Sequence, residues 1–270
     1  MTIDRLRSHW GLSRTPFSRE LAPSMLFASR SHEEAVARIS WLISERALGL
    51  ITGEVGSGKS VAARAAVSVL DRSRHTVVYL ANPAIGARGM YAQIVSSLGG
   101  VPRYQKAALI PQAMGLLAQE EAEWGRTVVL LIDEAQMLDD ALEEVRLLMA
   151  ADMDAKAAFA CVLLGQPTLR RHVRLGTFAA LNQRIALRYV IEGMEVKETG
   201  SYIAHHLKLC GRADQIFSED AVALIHQVSR GLPRAVNNLA TQALVAAYST
   251  GKSIVDESCA RAAVSEVDAE

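Results

Sequence analysis

The chain has 270 residues, half of them apolar, and 29 Lys plus Arg balance 29 Asp plus Glu. That length can bury one large core and a smaller second one, and zero net charge excludes a global field driving the chain onto nucleic acid or an anionic membrane, so any DNA affinity must come from local patches. Cys161, Cys210 and Cys259 are widely spaced and form no C-x-x-C pair, which excludes a disulfide framework and a cysteine metal site and fits a reducing cytoplasm. Residues 1–10 lack an apolar signal core, and apolar stretches such as 157–164 are far too short to span a bilayer, so a cytoplasmic protein without membrane contact is expected. Ser31 followed by Glu34 reads as a capping box opening a helix to about residue 42 or 46, with Ala35, Ile39, Leu42 and Ile43 on one face. Residues 48–52 read as a buried strand and 61–70 as a helix. A β-rich run over 76–81 ends at Asn82, and helices follow over 90–98 and 107–123. Residues 128–132 form a strand, 138–149 a helix and 158–164 a strand that ends at Gly165-Gln166-Pro167. Alternating strand and helix predicts an α/β fold with a parallel sheet covered on both faces and a ligand at the carboxyl ends of the strands. From about residue 194 the strands stop. Helices over 196–209, 218–229 (Ser218 as N-cap), 233–248 and 256–267 predict a small all-helical domain, in which Val222, Leu224, Ile225 and Val228 are core. The expected division is 1–193 and 194–270.

Between the first strand and its helix lies Gly53-Glu54-Val55-Gly56-Ser57-Gly58-Lys59-Ser60, which fits the phosphate-binding loop G-x-x-x-x-G-K-S/T in the strand, loop, helix setting that the motif requires. A triphosphate is densely negative, so the loop must present several backbone N–H groups at close range, and its glycines let the chain curl around the anion. Lys59 would reach the β- and γ-phosphates, Ser60 would place its hydroxyl on Mg²⁺, and the helix that Val61 opens would add its dipole. The strand over 128–132 ends in two adjacent carboxylates, a Walker B pattern. Asp133 would hold the Mg²⁺ hydration shell, and Glu134 would orient and deprotonate the attacking water. An Asp-Glu pair, rather than Asp followed by an apolar residue, points to hydrolysis and not binding alone.

These motifs, with a polar residue after the next strand, an Arg before another strand and a Gly-Leu-Pro-Arg helix, resemble an AAA+ ATPase: a P-loop core plus a C-terminal helical lid. Trp10-Gly11-Leu12, Thr15-Pro16-Phe17, Leu164-Gly165-Gln166-Pro167 and Asn182-Gln183-Arg184-Ile185 narrow the resemblance to the ExeA-like group. That group includes secretion ATPases and transposition ATPases similar to TniB, TnsC and MuB. The resemblance covers nearly the whole chain. It makes Gln166 the sensor 1 position, where Asn or Thr is more usual, and Arg234 the sensor 2 position on a lid helix. It makes Arg184 an arginine finger acting on ATP held by a neighbouring subunit, with Arg188 the competing residue. Asn82 either restrains Glu134 or forms a turn, and Phe17 either packs near the adenine or is core. Arg88, Arg103 and Lys106 lie where similar proteins line a central channel, so weak phosphate contacts from several stacked protomers would add up on double-stranded DNA. The resemblance therefore implies a homo-oligomer, ring or filament, that uses ATP and Mg²⁺, binds double-stranded DNA and recruits a transposase. The alternative is an ExeA-like secretion ATPase, against which stands the expectation that the chain carries neither a membrane segment nor a peptidoglycan-binding region. A replication initiator would bring a dedicated DNA-binding domain, for which no room is expected.

Overall fold

The structure, a computed structural model, describes residues 2–18, 21–149, 157 and 159–268. The chain divides into two compact units, one comprising 34–55 and 59–191, the other 1–33, 56–58 and 192–270.

In the first unit five parallel strands, β1 (Leu48–Gly53), β2 (His75–Leu80), β3 (Thr127–Ile132), β4 (Phe159–Gly165) and β5 (Ile185–Ile191), lie in the order β2-β3-β4-β1-β5. Between them run α3 (Lys59–Ser68), α4 (Gly86–Ser97), α5 (Lys106–Trp124), α6 (Leu142–Met149), α7 (Pro167–His172) and α8 (Ala179–Arg184); α1 (Ile3–Trp10) and α2 (Arg30–Ser44) come before β1. The α/β class read from the alternating pattern is what the sheet shows. The strand expected over 158–164 runs from Phe159 to Gly165; Ala158 lies outside the described residues.

The central strands are unbroken apolar runs because both faces of the sheet are buried. Leu48, Leu50, Val128, Leu130, Ile132, Cys161 and Leu163 point into a core closed by α4, α5 and α6. Ile51, Val129, Leu131, Val162 and Leu164 point the other way, onto Ala35, Ile39, Leu42 and Ile43 of α2 and Ala62, Ala63 and Ala66 of α3. Alternate residues of a strand face opposite sides, so one sequence run supplies both cores. The α2 contact is close: a Cβ on Gly49 would lie 1.9 Å from Leu42 Cδ1. α2 begins at Arg30, one residue before the expected Ser31 cap, and Ser31 Oγ accepts the Glu192 N–H at 2.9 Å.

The second unit packs α1 and the helices α9 (Val196–Leu209), α10 (Glu219–Ser229), α11 (Pro233–Ser249) and α12 (Glu257–Asp268) around Trp10, Ile203, Leu207, Ile225, Val236, Leu239 and Leu244. Ser218 caps α10 as expected, its Oγ accepting the Ala221 N–H at 3.2 Å. Two glycines let the segment before α9 lie against the segment before α11. A Cβ on Gly193 would sit 2.1 Å from Arg230 O, and one on Gly231 2.0 Å from Met194 O. The Met194 N–H donates to Gly231 O at 2.9 Å, and Gly231 has φ 67°. Among the described residues no helix is long and apolar enough to cross a membrane.

Candidate nucleotide-binding site

The carboxyl ends of β1, β4, β3 and β2 lie along one edge of the sheet, because Thr52 is level with Gly165, Ile132 with Leu163 and Leu80 with Ile132. That edge gathers Gly53, Asp133, Glu134 and Gln166, which are separated by up to 113 positions in sequence.

From Gly53 the loop turns through Gly56 (φ 83°) and Gly58 (φ 96°), left-handed conformations in which a side chain is strained. Gly56 is also sterically obliged to be glycine: a Cβ there would lie 2.6 Å from Arg234 Cβ, and Arg234 donates its backbone N–H to Gly56 O at 3.3 Å. Pro233, at the first position of α11, sets the start of the helix that carries Arg234. Lys59 is the first residue of α3; its buried ammonium donates to the carbonyls of Gly53 at 2.8 Å and Glu54 at 3.0 Å. Glu54 and Val55 are exposed at the outside of the turn. The Ser57 hydroxyl is buried and has no hydrogen-bond partner among the described residues. A buried cation, an orphaned hydroxyl and an N-terminal helix end on one Gly-rich loop fit a polyphosphate.

Ser60 and Asp133 meet directly, the Ser60 hydroxyl donating to Asp133 Oδ2 at 2.5 Å. The same oxygen accepts Tyr79 Oη at 2.8 Å, and Asp133 Oδ1 accepts the Glu134 N–H at 2.9 Å. Tyr79 is level with Leu131, so its side chain leaves the sheet on the face used by Asp133 two residues on. Burial, then the Asp133 hydrogen bond and the Asp133 and Glu134 charges, push the Tyr79 phenol up to about 12, so it stays a donor at neutral pH. A hydroxyl and a carboxylate in contact beside a phosphate loop are hard oxygen donors of the kind Mg²⁺ takes, usually with several retained waters.

Glu134 adopts a left-handed conformation, φ 49° and ψ 38°, and its Oε2 accepts the amides of Gln136 at 2.5 Å and Gln166 at 3.3 Å. Asn82 does not supply that restraint. Its Oδ1 accepts the Ala84 N–H at 3.1 Å, the turn-forming alternative, because a side chain that short closes on its own backbone two residues on.

The remaining candidates fall elsewhere. Phe17, with φ 59°, is buried in the helical unit and stacks on His206 at 5.3 Å, so its ring is committed to that core. Arg184 ends α8 immediately before β5, at the amino edge of the sheet, where Ile185 is level with Leu48. It lines a small cleft with Arg46, Leu48, Met149 and Ala186. Between that edge and Gly53 lie five strand steps, about 17 Å, which exceeds the reach of an Arg side chain. Arg188 is tied down locally, donating to the Asn182 side chain at 2.9 Å and to the backbone carbonyls of Asn182 and Ile185. Arg88 donates to Tyr104 O at 3.0 Å and stacks over the Tyr104 ring, Arg103 donates its backbone N–H to Gln112, and Lys106 pairs with Glu144 at 2.6 Å.

Tyr79 and Gln136 were not legible as site residues. Tyr79 is one aromatic in a β-rich run, and Gln136 follows the acidic pair by two positions with no spacing that marks it.

A parallel sheet with a phosphate loop after its first strand and an Asp-Glu pair on the strand two places away defines a P-loop nucleotide-binding fold, and residues 42–173 match the family described as AAA domain. The chain is 32% identical over 247 residues to General secretion pathway protein A of Aeromonas hydrophila, an alignment covering 90% of this chain and 45% of that protein. The chain thus spans less than half the length of that relative. Among solved structures it is similar to the ORC2 protein of Aeropyrum pernix in its ADPNP-ADP complexes, with TM-score 0.69, 20% identity, and 93% of this chain and 71% of that one covered. It is also similar to Drosophila ORC bound to DNA, with TM-score 0.62, 20% identity, and 98% and 66% covered. At such identities the likeness is one of fold. Together these findings make residues 42–173 similar to an AAA domain.

Proposed function

We propose that the chain hydrolyses ATP with Mg²⁺, and that its nucleotide state governs assembly on double-stranded DNA in the service of transposition. The observation that carries the ATPase reading is the convergence of Lys59, Ser60, Asp133 and Glu134 at one sheet edge. Lys59 and the loop N–H groups hold the phosphates, and Ser60 and Asp133 hold Mg²⁺, which when bound supplies charge neutralisation of the phosphates. Glu134 accepts the proton of the attacking water, Gln166 orients that water, and Arg234 senses the nucleotide from the lid. In this reading residues 34–193 act as the nucleotide-binding domain and 194–270, grouped in one unit with residues 1–33, as the lid, in a cytoplasmic protein. Arg184 serves a neighbouring copy, a role supported by its place at the sheet edge away from its own loop.

The DNA and transposase partners rest on the motif resemblance to transposition ATPases, with exposed Arg88 and Arg103 as the phosphate contacts. A second reading, a secretion ATPase, is favoured by the 32% identity to General secretion pathway protein A. Phosphate release, gel filtration and DNA mobility shift with ATP, ADP and no nucleotide separate them. Glu134→Gln is expected to abolish turnover and trap a DNA-bound oligomer, and Lys59→Ala to abolish both. Nucleotide-dependent self-association with no DNA shift under any condition would turn the conclusion to the secretion reading.

A further inference from the structure

The zero net charge of the whole chain hides an uneven distribution. Residues 155–191 carry six Lys or Arg and no Asp or Glu, so all 29 acidic residues lie outside them. Between β4 and β5 this stretch folds with its apolar positions inward: Leu169, Val173, Phe178 and Leu181 enter the core closed by α4, α5 and α6. Arg170, Arg171 and Arg174 of α7 are left in solvent. At about 100° of turn per residue, Leu169 and Val173 anchor one side of α7 while the three arginines fall within about 100° of each other on the opposite side. Elsewhere the chain gives a helical Arg an acidic partner one turn away, as in Arg38 with Glu34, Arg146 with Glu143 and Arg261 with Glu257. None of the ion pairs among the described residues involves Arg170, Arg171 or Arg174. Like charges three and four positions apart repel and weaken a helix, and α7 has only six residues with which to resist.

Guanidinium groups gathered without counter-charges are complementary to a polyanion, and the planar fork of Arg matches two oxygens of one phosphate. Arg170 and Arg174 leave α7 about 6 Å apart along its axis, and the phosphates of one strand recur about every 3.4 Å of duplex, so the three arginines can reach neighbouring phosphates. Thr168 and Thr177 are exposed on either side and add hydroxyl donors. A protein partner would need an apolar centre, and Leu175 is the one large apolar side chain exposed over residues 167–184. We propose that the outer face of α7 binds the phosphate backbone of double-stranded DNA through Arg170, Arg171 and Arg174. The proposal rests on the DNA reading above and adds a site to it, since the Arg88 guanidinium is spent on Tyr104 and these three are not. Phosphate contacts carry no base information, so this site is indifferent to sequence.

The test measures affinity of the full chain with ATP for a short duplex of arbitrary sequence, over about 50 to 200 mM salt. Arg170→Gln, Arg171→Gln and Arg174→Gln combined are expected to weaken binding on the order of 100-fold at about 0.1 M salt, with the melting temperature unchanged. The slope of log affinity against log salt is expected to shrink by about 2.7 per bound protomer, ~0.9 for each lost phosphate contact. Arg170→Lys, Arg171→Lys and Arg174→Lys combined keep the charge and are expected to keep the slope. Affinity and slope of the Gln variant equal to wild type overturn the inference and leave the DNA reading standing. Loss of self-association in gel filtration with duplex affinity intact also overturns it, and assigns the arginines to a contact between copies. A wild-type chain that shifts no duplex in any nucleotide state refutes the DNA reading itself, and this site with it. Should the combined Gln variant not fold, Arg174→Gln alone decides, through a slope smaller by about 0.9.

Discussion

Asp133 is the most heavily used side chain of the site: Oδ2 accepts both Ser60 and Tyr79, and Oδ1 closes on the Glu134 N–H. Tyr79 donates to that carboxylate, so in the proposed reading its part is to aim it, and groups that orient a metal ligand are worth about 10- to 100-fold in metal affinity when removed. Tyr79→Phe is therefore expected to raise the Mg²⁺ concentration for half-maximal turnover about ten-fold while the protein stays folded; a Mg²⁺ titration that superimposes on wild type rejects the role. The phenol's raised value, about 12 against an ordinary 10.0, means the folded state holds that proton more tightly. Its contribution to stability is full below pH 10 and is lost as pH climbs through 12, so Tyr79 brings no titration to the neutral range. Ser60, Lys59 and Asp133 were legible because their motif spacings are tied to phosphate chemistry. Tyr79 was not, because the register that sets it diagonal to Asp133 is a property of the β2 and β3 pairing.

At the scale of elements, the strands that read clearly are those buried on both faces, β1, β3 and β4, whose patterns are unbroken. Short helices read poorly: α7 and α8 have six residues each, too few turns for a periodic face. In the helical unit α9 carries His206, which packs against Phe17 at 5.3 Å and Tyr202 at 4.4 Å. Burial, with lesser help from the His205 and Arg14 charges, lowers His206 to about 4 from 6.5. The folded state thus prefers the neutral ring, and stability that is full above pH 6.5 declines as pH falls toward 4, by on the order of 3 kcal/mol in all. Thermal melts between pH 7 and 4 are expected to show that decline, and His206→Leu to flatten it. Equal slopes in the two proteins would mean that other groups carry the acid sensitivity.

At the scale of the whole molecule, the loop and Arg184 stand at opposite edges of one sheet, so a chain cannot bring its own Arg184 to its own phosphate without unfolding β5. Catalysis that needs this Arg then needs a second copy, and a finger of this kind contributes about 10³ to 10⁵ in rate. Arg184→Ala and Lys59→Ala proteins, each inactive alone, are expected to regain part of the hydrolysis when mixed, since one supplies the pocket and the other the Arg. Absence of rescue at every ratio would assign Arg184 a role within its own fold. Arg188, the rival in sequence, is held by Asn182 and Ile185, a difference that four positions of spacing do not reveal.

What the sequence determined by itself is the turn of the loop, the place of the acidic pair at a strand end, and the order of strands and helices, because each depends on residues adjacent along the chain: glycines that turn, a Lys and Ser at fixed offsets, apolar runs that must be buried. Strand order, and with it the meeting of Ser60 with Asp133 and the separation of Arg184 from the loop, was decided only by the tertiary structure. Parallel pairing joins segments 113 residues apart in β1 and β4 and 31 apart in β3 and β4 through backbone hydrogen bonds that carry no side-chain signature.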